Sequence, residues 1–370
     1  MKVLLYLASD SPFYTNLYPS IKRGFEEAGC EVEGDSNLLE SEKLIQKIEE
    51  FKPDFVFEMN RVKSEIENFP TNVIHVCWLV DFWGRTHKEL SGSNILYTWA
   101  EDWIKYFEKE GIESVLYLPP ATDATIYKPL NIKKEYDFIF LGHFYADWGE
   151  NRLNRIIGHY DNNKILLFKD ILPCIKSHAL SKNKTISFLD SLENRGMILD
   201  KPIPNEILND ISSRAYRQSV REHYIDIFLN TNTKLSIYGS IGWTLHDKYK
   251  DFYKGYIDNF NDINIALSKS NIVLHDSTYL HFRTFDAMVA GVVVAAAKSP
   301  QNIPCPWTKQ GFKDKEDYLN IDIYDLDIDK SLFNDIDLLQ EIAKNARKKV
   351  LESHLWVHRA MKIIEDVSNL

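Results

Sequence analysis

The 370-residue sequence contains little of what marks secreted or nucleic-acid-binding proteins. It has only four cysteines, at positions 30, 77, 174 and 305. No two of them have the spacing of a zinc site or a redox pair, so we expect reduced thiols that are mostly buried. The formal net charge is −10. This charge disfavours nonspecific binding to nucleic acid or to an anionic membrane, because both require a basic surface.

Long apolar runs are also missing. The longest, residues 288–297, is about half the length of a membrane-spanning helix. The apolar opening at 3–8 is too short for a signal peptide and is followed at once by Ser9 and Asp10. We therefore expect a soluble cytoplasmic protein without an integral membrane segment.

Several motifs of catalysis and metal binding are absent as well. There is no phosphate-binding P-loop, no nucleophile elbow and no cluster with metal-ligand spacing. An Asp-x-Asp pattern occurs within residues 320–330, which we interpret as a solvated acidic face. The sequence thus predicts neither a bound metal nor a cofactor.

What the chain does contain is a regular alternation of apolar runs and amphipathic stretches. Such alternation predicts parallel sheets covered by helices on both faces. The predicted strands are 2–8, 54–59, 72–80, 94–99, 114–119, 138–142, 235–239, 271–275 and 292–297. The predicted helices are 20–28, after a loop from Ser9, and 38–51, 103–110 and 211–230, with helix almost throughout the last 30 residues or so.

The length and this pattern favour two α/β domains. We expect an N-terminal domain at 1–130, a linker around 129–137 and a C-terminal domain at 135–345 with an insertion at about 150–232. The last segment, 346–370, is predicted to return to the N-terminal domain. Ligands of open α/β sheets bind at the carboxyl ends of the strands, which places a ligand cleft between the domains.

The segment 270–297 is the most informative part of the sequence. It predicts a strand ending near His275, a polar loop, and a helix that carries Arg283 and Asp286 in its first turns. A helix N-terminus attracts phosphate, and an arginine can add a bidentate contact. Asp286 can accept hydrogen bonds from ribose hydroxyls, and Gly291 allows a helix to pack closely on the next strand.

This segment resembles the signature R-x-F-E-A-x-A-x-G of the glycosyltransferases related to the spore-maturation protein CgeB, which belong to the GT-B group. The resemblance places Arg283, Phe285, Asp286 and Gly291 on the motif and implies that Asp286 holds the nucleotide ribose. The chain departs from the motif in two ways. It has Asp where Glu is usual, and Thr278 stands where retaining relatives carry a second Glu.

Other segments resemble the same family. Residues 95–129 are similar to the stretch leading into its interdomain linker, and 136–144 to the first donor-domain strand, whose glycine loop faces the diphosphate. Residues 253–277 match the stretch before the signature, and 352–365 the closing His-x-Trp-x-x-Arg helix. The resemblance implies a GT-B fold: two Rossmann-like doubly wound domains facing a central cleft, with a C-terminal helix crossing back.

The expected donor-binding residues follow from these matches, and four of them have a structural alternative. They are Gly142, His143, His275, Arg283, Asp286 and Gly291. Arg283 and Asp286 could instead be a surface ion-pair partner and a helix-end charge, and Gly142 and His143 could be ordinary loop residues. In the N-terminal half, Asp81 and then Asp10 follow strands at the cleft edge, as a general base would, or serve there as turn residues.

Together these features predict an enzyme that moves a sugar from a nucleoside-diphosphate sugar, expected to be UDP-linked, to an acceptor hydroxyl. The acceptor stays open between a glycan, a protein, a small molecule and a modified DNA base. Two alternatives also stay open. One is a non-catalytic protein that binds nucleotide sugars, and the other is a GT-B isomerase that acts on them without an acceptor.

Overall fold

The structure of the protein is a computed structural model. It describes residues 1–82, 85–112, 114–144, 148–161, 163–181, 192–194, 196–199, 214–229, 233–298, 305–324 and 329–370. The predicted Asp-x-Asp pattern and much of the predicted insertion lie outside the described residues.

The N-terminal half forms a parallel sheet of six strands in the order β2-β1-β3-β4-β5-β6. The strands are β1 (Lys2–Tyr6), β2 (Glu31–Asp35), β3 (Phe55–Met59), β4 (Ile74–Leu79), β5 (Ile95–Thr98) and β6 (Val115–Tyr117). Its helices are α1 (Pro12–Glu27), α2 (Ser41–Phe51) and α3 (Ile104–Lys109). Short 3₁₀ turns occupy Lys63–Glu65 and Glu101–Trp103.

The continuous apolar run of β1 reflects burial on both faces. Val3 and Leu5 pack into one core cluster, with α1, whereas Leu4 and Tyr6 pack into another, with α2. Successive strand residues point to opposite faces, so a strand covered on both sides needs apolar residues at every position.

Helix α1 begins eight residues earlier than the pattern predicts. The expected loop at 9–20 is wrong, because Pro12 occupies the first turn of the helix and Pro19 lies inside it. Proline fits the first turn, where the N–H has no intrahelical partner. At Pro19 the helix gives up one backbone hydrogen bond. The extra turns place Phe13 at the cleft between the domains.

The C-terminal half forms a second parallel sheet of six strands, in the order β11-β10-β7-β12-β13-β14. These strands are β7 (Tyr136–Leu141), β10 (Leu235–Tyr238), β11 (Tyr253–Gly255), β12 (Ser270–His275), β13 (Val293–Ala297) and β14 (Leu319–Ile321). Residues of β13 alternate between the core shared with the N-terminal domain and the outer core of this domain. Two 3₁₀ turns, Ile241–Leu245 and Lys250–Phe252, follow β10, and a third occupies Lys330–Phe333.

Within the region predicted as an insertion, the described residues form an antiparallel hairpin and helices with a small core of their own. The hairpin strands are β8 (Ile156–Tyr160) and β9 (Lys164–Leu167). The helices are α4 (Glu150–Leu153), α5 (Phe168–Ala179) and α6 (Tyr216–Leu229). The last of these, α6, packs Tyr224 and Phe228 against the C-terminal sheet and therefore joins the region to the domain.

The remaining helices pack around the second sheet, except that the last one returns to the N-terminal domain. They are α7 (Phe260–Ser268), α8 (Phe282–Val289), α9 (Pro306–Lys309), α10 (Ile336–Ser353) and α11 (Trp356–Ser368). Helix α11 packs on α1 of the N-terminal domain, where a Cβ added at Gly24 would lie 2.6 Å from the Trp356 backbone. Tyr97 of β5 donates to Asp366 at 2.5 Å. The C-terminal helix thus crosses back to the first domain.

Candidate functional site

A cavity of about 220 Å³ lies between the two domains. It lies at the carboxyl ends of the strands of the C-terminal sheet, where the loops that follow β7, β10 and β11 meet the start of α8. It is lined by Phe13, Tyr127, Leu141, Gly142, His143, Tyr238, Gly239, Tyr256, Ile257, Asp258, Phe260, Ile263, His281, Phe282, Arg283 and Asp286. Of the expected donor residues, the structure brings four together here: Gly142, His143, Arg283 and Asp286.

Two glycines allow the loops after β7 and β10 to touch backbone to backbone. Gly239 has φ +154°, and a Cβ there would lie 1.9 Å from the carbonyl oxygen of Gly142. A Cβ at Gly142 would lie 2.7 Å from the Phe140 ring. Trp243 Nε1 donates to the Gly142 carbonyl at 2.8 Å and fixes the pair. Any larger residue would push the loops apart and change the cavity wall.

The N-terminus of α8 enters the cavity beside these loops. His281 is its N-cap, and Thr284 Oγ1 donates to the His281 carbonyl at 2.6 Å. Arg283 stands in the first turn and donates to the carbonyl of Leu141 at the end of β7. Burial, followed by the charge of Arg221, lowers the pKa of Arg283 to about 10, so it stays protonated at neutral pH. A helix N-terminus and a guanidinium therefore face one cavity, as an anionic ligand requires.

Helix α6 brings further arginines to this site. Arg221 forms an ion pair with Asp276 at 2.6 Å and donates to the carbonyl of His143. One turn earlier, Arg217 is exposed, and its charge helps to lower the pKa of both His281 and Arg283. These arginines were not among the residues expected from the sequence. Their spacing on one predicted helix was the available signal.

The neighbouring histidines are held neutral by burial and by this positive charge. Burial lowers the pKa of His143, and Arg283 and Arg221 lower it further. The pKa of His275 falls to about 4, mainly through burial. Burial also takes the pKa of His281 well below its ordinary value. A neutral His143 can donate or accept a hydrogen bond but cannot neutralise a phosphate.

Asp286 lies deeper than a simple cleft-facing carboxylate. It is 8% exposed, accepts a hydrogen bond from Thr122 Oγ1 at 2.5 Å, and accepts another from the Tyr127 hydroxyl. Burial raises its pKa to about 8, although both hydroxyls and Arg283 act in the opposite direction. Thr122 and Tyr127 belong to the connection between the domains, so this carboxyl joins the cavity to that connection.

The other expected site residues lie outside the cavity lining. His275 is buried at the end of β12, where its Nε2 pairs with the Tyr279 carbonyl at 2.8 Å. Gly291 ends α8 at φ +75°, with Pro129 of the linker 3.3 Å from the position of an added Cβ. It thus permits close packing at the opposite end of the helix from the cavity.

The two expected catalytic aspartates are exposed on the N-terminal domain. Asp81 follows β4, where its backbone N–H donates to Asn60 Oδ1 at 3.0 Å. Its charge raises the pKa of Tyr14, after burial as the larger cause, so it lies near the helix that carries Phe13. Asp10 precedes α1, and its carbonyl accepts from Thr15 Oγ1 at 3.2 Å.

Comparison with solved structures shows what this architecture is. Sucrose-phosphate synthase from Thermosynechococcus elongatus superposes with a TM-score of 0.57 at 8% identity, over 100% of this chain and 99% of that chain. An alpha-glucosyltransferase in complex with UDP-glucose and DNA containing an abasic site superposes with a TM-score of 0.56 at 11% identity, over 99% and 98% of the two chains. The fold is GT-B. The fold class expected from the sequence is therefore confirmed.

The sequence comparisons are consistent with this fold. Residues 213–365 match a family model described as glycosyl transferase-like. That stretch contains α6, the loops after β10 and β11 that line the cavity, and the whole of α8. The curated proteins contain no sequence match to this chain. Within the part of the chain that the structure describes, none of the helices has the length and apolar character needed to cross a membrane.

Proposed function

We propose that this protein is a glycosyltransferase whose donor, a UDP-linked sugar, binds with its diphosphate at the N-terminus of α8. The observation that carries the proposal is the placement of Arg283 and that helix end beside the touching loops of Gly142 and Gly239. Fixed donors aimed at a departing diphosphate are a major source of catalysis in a water-poor site. The glycosyl transferase-like match over residues 213–365, which include Gly239 and Arg283, supports this assignment.

In the proposed reaction, the bond between the anomeric carbon and the diphosphate oxygen breaks, and a new bond forms to an acceptor oxygen. The diphosphate leaves with the bonding electron pair, which Arg283 and the α8 N-terminus stabilise. The acceptor proton passes to a base on the N-terminal domain. We propose Asp81 for this role, with Asp10 as the second candidate, because both follow parallel strands of the acceptor domain at the cleft edge.

We further propose that the chain is close to the CgeB-related enzymes, that it acts in the cytoplasm and that it needs no divalent metal. The first of these rests on the order of the matched motifs along the chain. The last rests on the positive charge that Arg283 and the arginines of α6 already supply. The acceptor is proposed to be a hydroxyl compound that enters from the N-terminal side of the cleft. We propose an N-terminal domain at 1–130, a C-terminal domain at 135–345 and a returning segment at 346–370.

The cavity volume bears on how the donor enters. Pockets that enclose small ligands have volumes of roughly 300–1,000 Å³, whereas this cavity measures about 220 Å³. We propose that the domains separate to admit the nucleotide sugar and close again afterwards. Closure around the ligand would then exclude water from the reacting bond.

Thermal unfolding in the presence of nucleotide sugars tests the proposal. UDP-glucose, UDP-galactose and UDP-N-acetylglucosamine would be compared with GDP-mannose and ADP-glucose. A ligand at 100 times its Kd stabilises the native state by about 2.7 kcal/mol, so binding to the parent protein raises its Tm. Arg283→Leu should abolish most of this rise. Arg347→Leu is the matched control, because Arg347 also donates to a backbone carbonyl, that of Val289 at the far end of α8.

The outcomes separate this function from its alternatives. Donor binding followed by release of UDP with an acceptor, or slowly by hydrolysis, supports a transferase. Binding with no turnover supports a non-catalytic protein, and conversion of the sugar without an acceptor supports an isomerase. Absence of stabilisation by every nucleotide sugar would contradict the proposed site.

A further inference from the structure

The loop between β12 and α8, residues 276–281, contacts the N-terminal domain across the cleft. Tyr279 donates its hydroxyl to Asp102 Oδ2 at 2.5 Å. The Trp99 ring lies beside this pair, with its centroid 6.3 Å from that of Tyr279 and 5.7 Å from that of His281. His281 also lines the cavity and caps α8. One end of this contact is therefore next to the proposed diphosphate site.

Three polar atoms of this cluster are buried without a hydrogen-bond partner among the residues that the structure describes. They are Asp102 Oδ1, Trp99 Nε1 and His275 Nδ1. Buried polar atoms are nearly always paired, because leaving one unpaired is unfavourable, so each such atom requires an explanation. His275 Nε2 faces the Tyr279 carbonyl, which can only accept, so Nε2 carries the proton and Nδ1 is an acceptor. The cluster thus offers two acceptors and one donor.

This combination matches a polyhydroxyl ligand. A sugar hydroxyl both donates and accepts, so it can pair with a carboxylate oxygen and an indole N–H at once. An ammonium group would not use the indole N–H, and a phosphate would be repelled by Asp102. Trp99 adds an aromatic surface of the kind that packs against the apolar face of a sugar ring.

The position of the cluster relative to α8 indicates which sugar it would contact, the one attached to the diphosphate. A sugar attached to a diphosphate at the α8 N-terminus lies against the loop that precedes the helix. Thr278, in the middle of this loop, offers a hydroxyl and no charge. Asp102 reaches the next residue, Tyr279, from the opposite domain. The loop's own carboxylate, Asp276, is paired with Arg221, so Asp102 brings a second carboxylate to this loop from the N-terminal domain.

We infer that Asp102 and Trp99 form the subsite for the transferred sugar, and that Asp102 Oδ1 accepts a hydrogen bond from one of its hydroxyls. The inference rests on the proposed function and goes beyond it by assigning sugar recognition to the N-terminal domain. Tyr279 holds Asp102 through its other oxygen and leaves Oδ1 for the ligand. Since Trp99 and His281 are close together in this structure, the sugar enters when the loop and residues 99–103 move apart.

The experiment compares sugar-bearing and bare nucleotides on matched variants. UDP and the three UDP-sugars, UDP-glucose, UDP-galactose and UDP-N-acetylglucosamine, are titrated calorimetrically into the parent, Asp102→Ala and Tyr279→Phe. Asp102→Ala should weaken the preferred UDP-sugar about tenfold to a hundredfold, as loss of a charged hydrogen bond does, with UDP affinity unchanged. Tyr279→Phe loses the same contact between the domains but keeps the carboxylate, so both affinities should stay within about threefold of the parent.

A second control addresses the interdomain contact itself. Glu101, next to Asp102, pairs with Lys309 of the C-terminal domain at 2.7 Å. Glu101→Gln breaks this contact without touching the subsite and should leave the ratio of UDP-sugar to UDP affinity unchanged. The unchanged affinity for UDP shows in each variant that the donor domain is folded.

Three results would overturn the inference. Equal losses in Asp102→Ala and Tyr279→Phe would mean that Asp102 acts only by holding the domains together. Equal weakening of UDP and UDP-sugar by Asp102→Ala would mean that it does not recognise the sugar. A parent protein that binds UDP and UDP-sugar equally would contradict the subsite while leaving the nucleotide site intact, whereas a parent that binds neither contradicts the proposed function as well.

Discussion

Replacing Asp286 by asparagine should change how the stability of the protein depends on pH. The Asp286 carboxyl is buried between the cavity and the interdomain connection, and burial raises its pKa to about 8 from the ordinary value of 3.8. Asparagine has the same shape as the neutral acid and can still accept from the Thr122 hydroxyl. The variant therefore removes a titrating group while keeping most of its contacts.

The sign follows from proton binding in the two states. Below pH 3.8 the carboxyl is protonated both in the native and in the unfolded protein, and its contribution is fully present. Between pH 3.8 and about 8 the native protein holds the proton and the unfolded chain has lost it, so stability falls as the pH rises. The slope is about 1.4 kcal/mol per pH unit. Above pH 8 both states are ionised and the contribution no longer changes.

Urea unfolding at pH 5, 6, 7, 8 and 9, followed by tryptophan fluorescence, measures this effect. The parent's unfolding free energy is subtracted from that of Asp286→Asn, which cancels groups that titrate alike in both proteins. We expect the difference to grow in favour of the variant by about 4 kcal/mol from pH 5 to 8 and then to level off. A difference that stays flat across this range would mean that Asp286 is ionised at neutral pH, and the account of its environment would be wrong.

Substitutions of Asp286 also test the expected contact with ribose. Asp286→Ala should weaken UDP binding about twofold to tenfold, because a hydrogen bond of the neutral carboxyl, worth roughly 0.5–1.5 kcal/mol, is lost. Asp286→Asn should be intermediate, and Asp286→Glu should lose little, since Glu is the residue of the resembling motif. Equal UDP affinity in Asp286→Ala and the parent would instead leave Asp286 with its structural role at the connection to Thr122 and Tyr127.

Four further outcomes are expected. Arg221→Leu leaves Asp276 buried without its partner and should lower the unfolding free energy by about 3–5 kcal/mol; an unchanged urea midpoint would contradict this. Asp81→Asn should slow UDP release with acceptor about 10²–10⁴-fold at unchanged donor affinity, and a normal rate would exclude it as the base. Turnover should survive dialysis against EDTA, whereas a loss that magnesium or manganese reverses would contradict metal independence. Deletion after Ser353 removes Trp356 from the domain junction and should lower both Tm and turnover, so a truncated protein with the parent's values would refute the role of α11.

The strands were predictable because they are buried on both faces. Each strand expected from the sequence is present, with ends within two residues of the prediction. Those that were missed are edge strands or lie in the insertion: β2, β8, β9, β11 and β14. The edge strand β2 reads EVEGD and shows why, since only its valine is buried. An edge strand with one covered face lacks the continuous apolar run that identifies a central strand.

The site was predictable where one local segment builds it, and not where distant segments meet. The order of strand, loop and helix in 270–297 was enough to place Arg283 and Asp286 at a helix start that faces the interdomain cavity. No local pattern could show that Arg221 reaches Asp276 across 55 positions of the chain. Nor could sequence show that the Asp286 carboxyl would be enclosed by hydroxyls from Thr122 and Tyr127, because that depends on how the domain connection folds over α8.

The motifs that suggested the fold contact one another at the connection between the two domains. Arg359 of the closing His-x-Trp-x-x-Arg segment donates to the carbonyls of Pro119 and Pro120, each at 2.9 Å. The Thr122 backbone N–H donates to the His354 carbonyl at 3.1 Å, and the Thr122 side chain donates to Asp286. A ligand that competes for the Asp286 carboxyl would therefore act on the connection between the domains as well as on the cavity wall. If UDP draws Asp286 away from Thr122, binding energy is coupled directly to domain movement, and the buried aspartate is the residue through which donor binding and closure communicate.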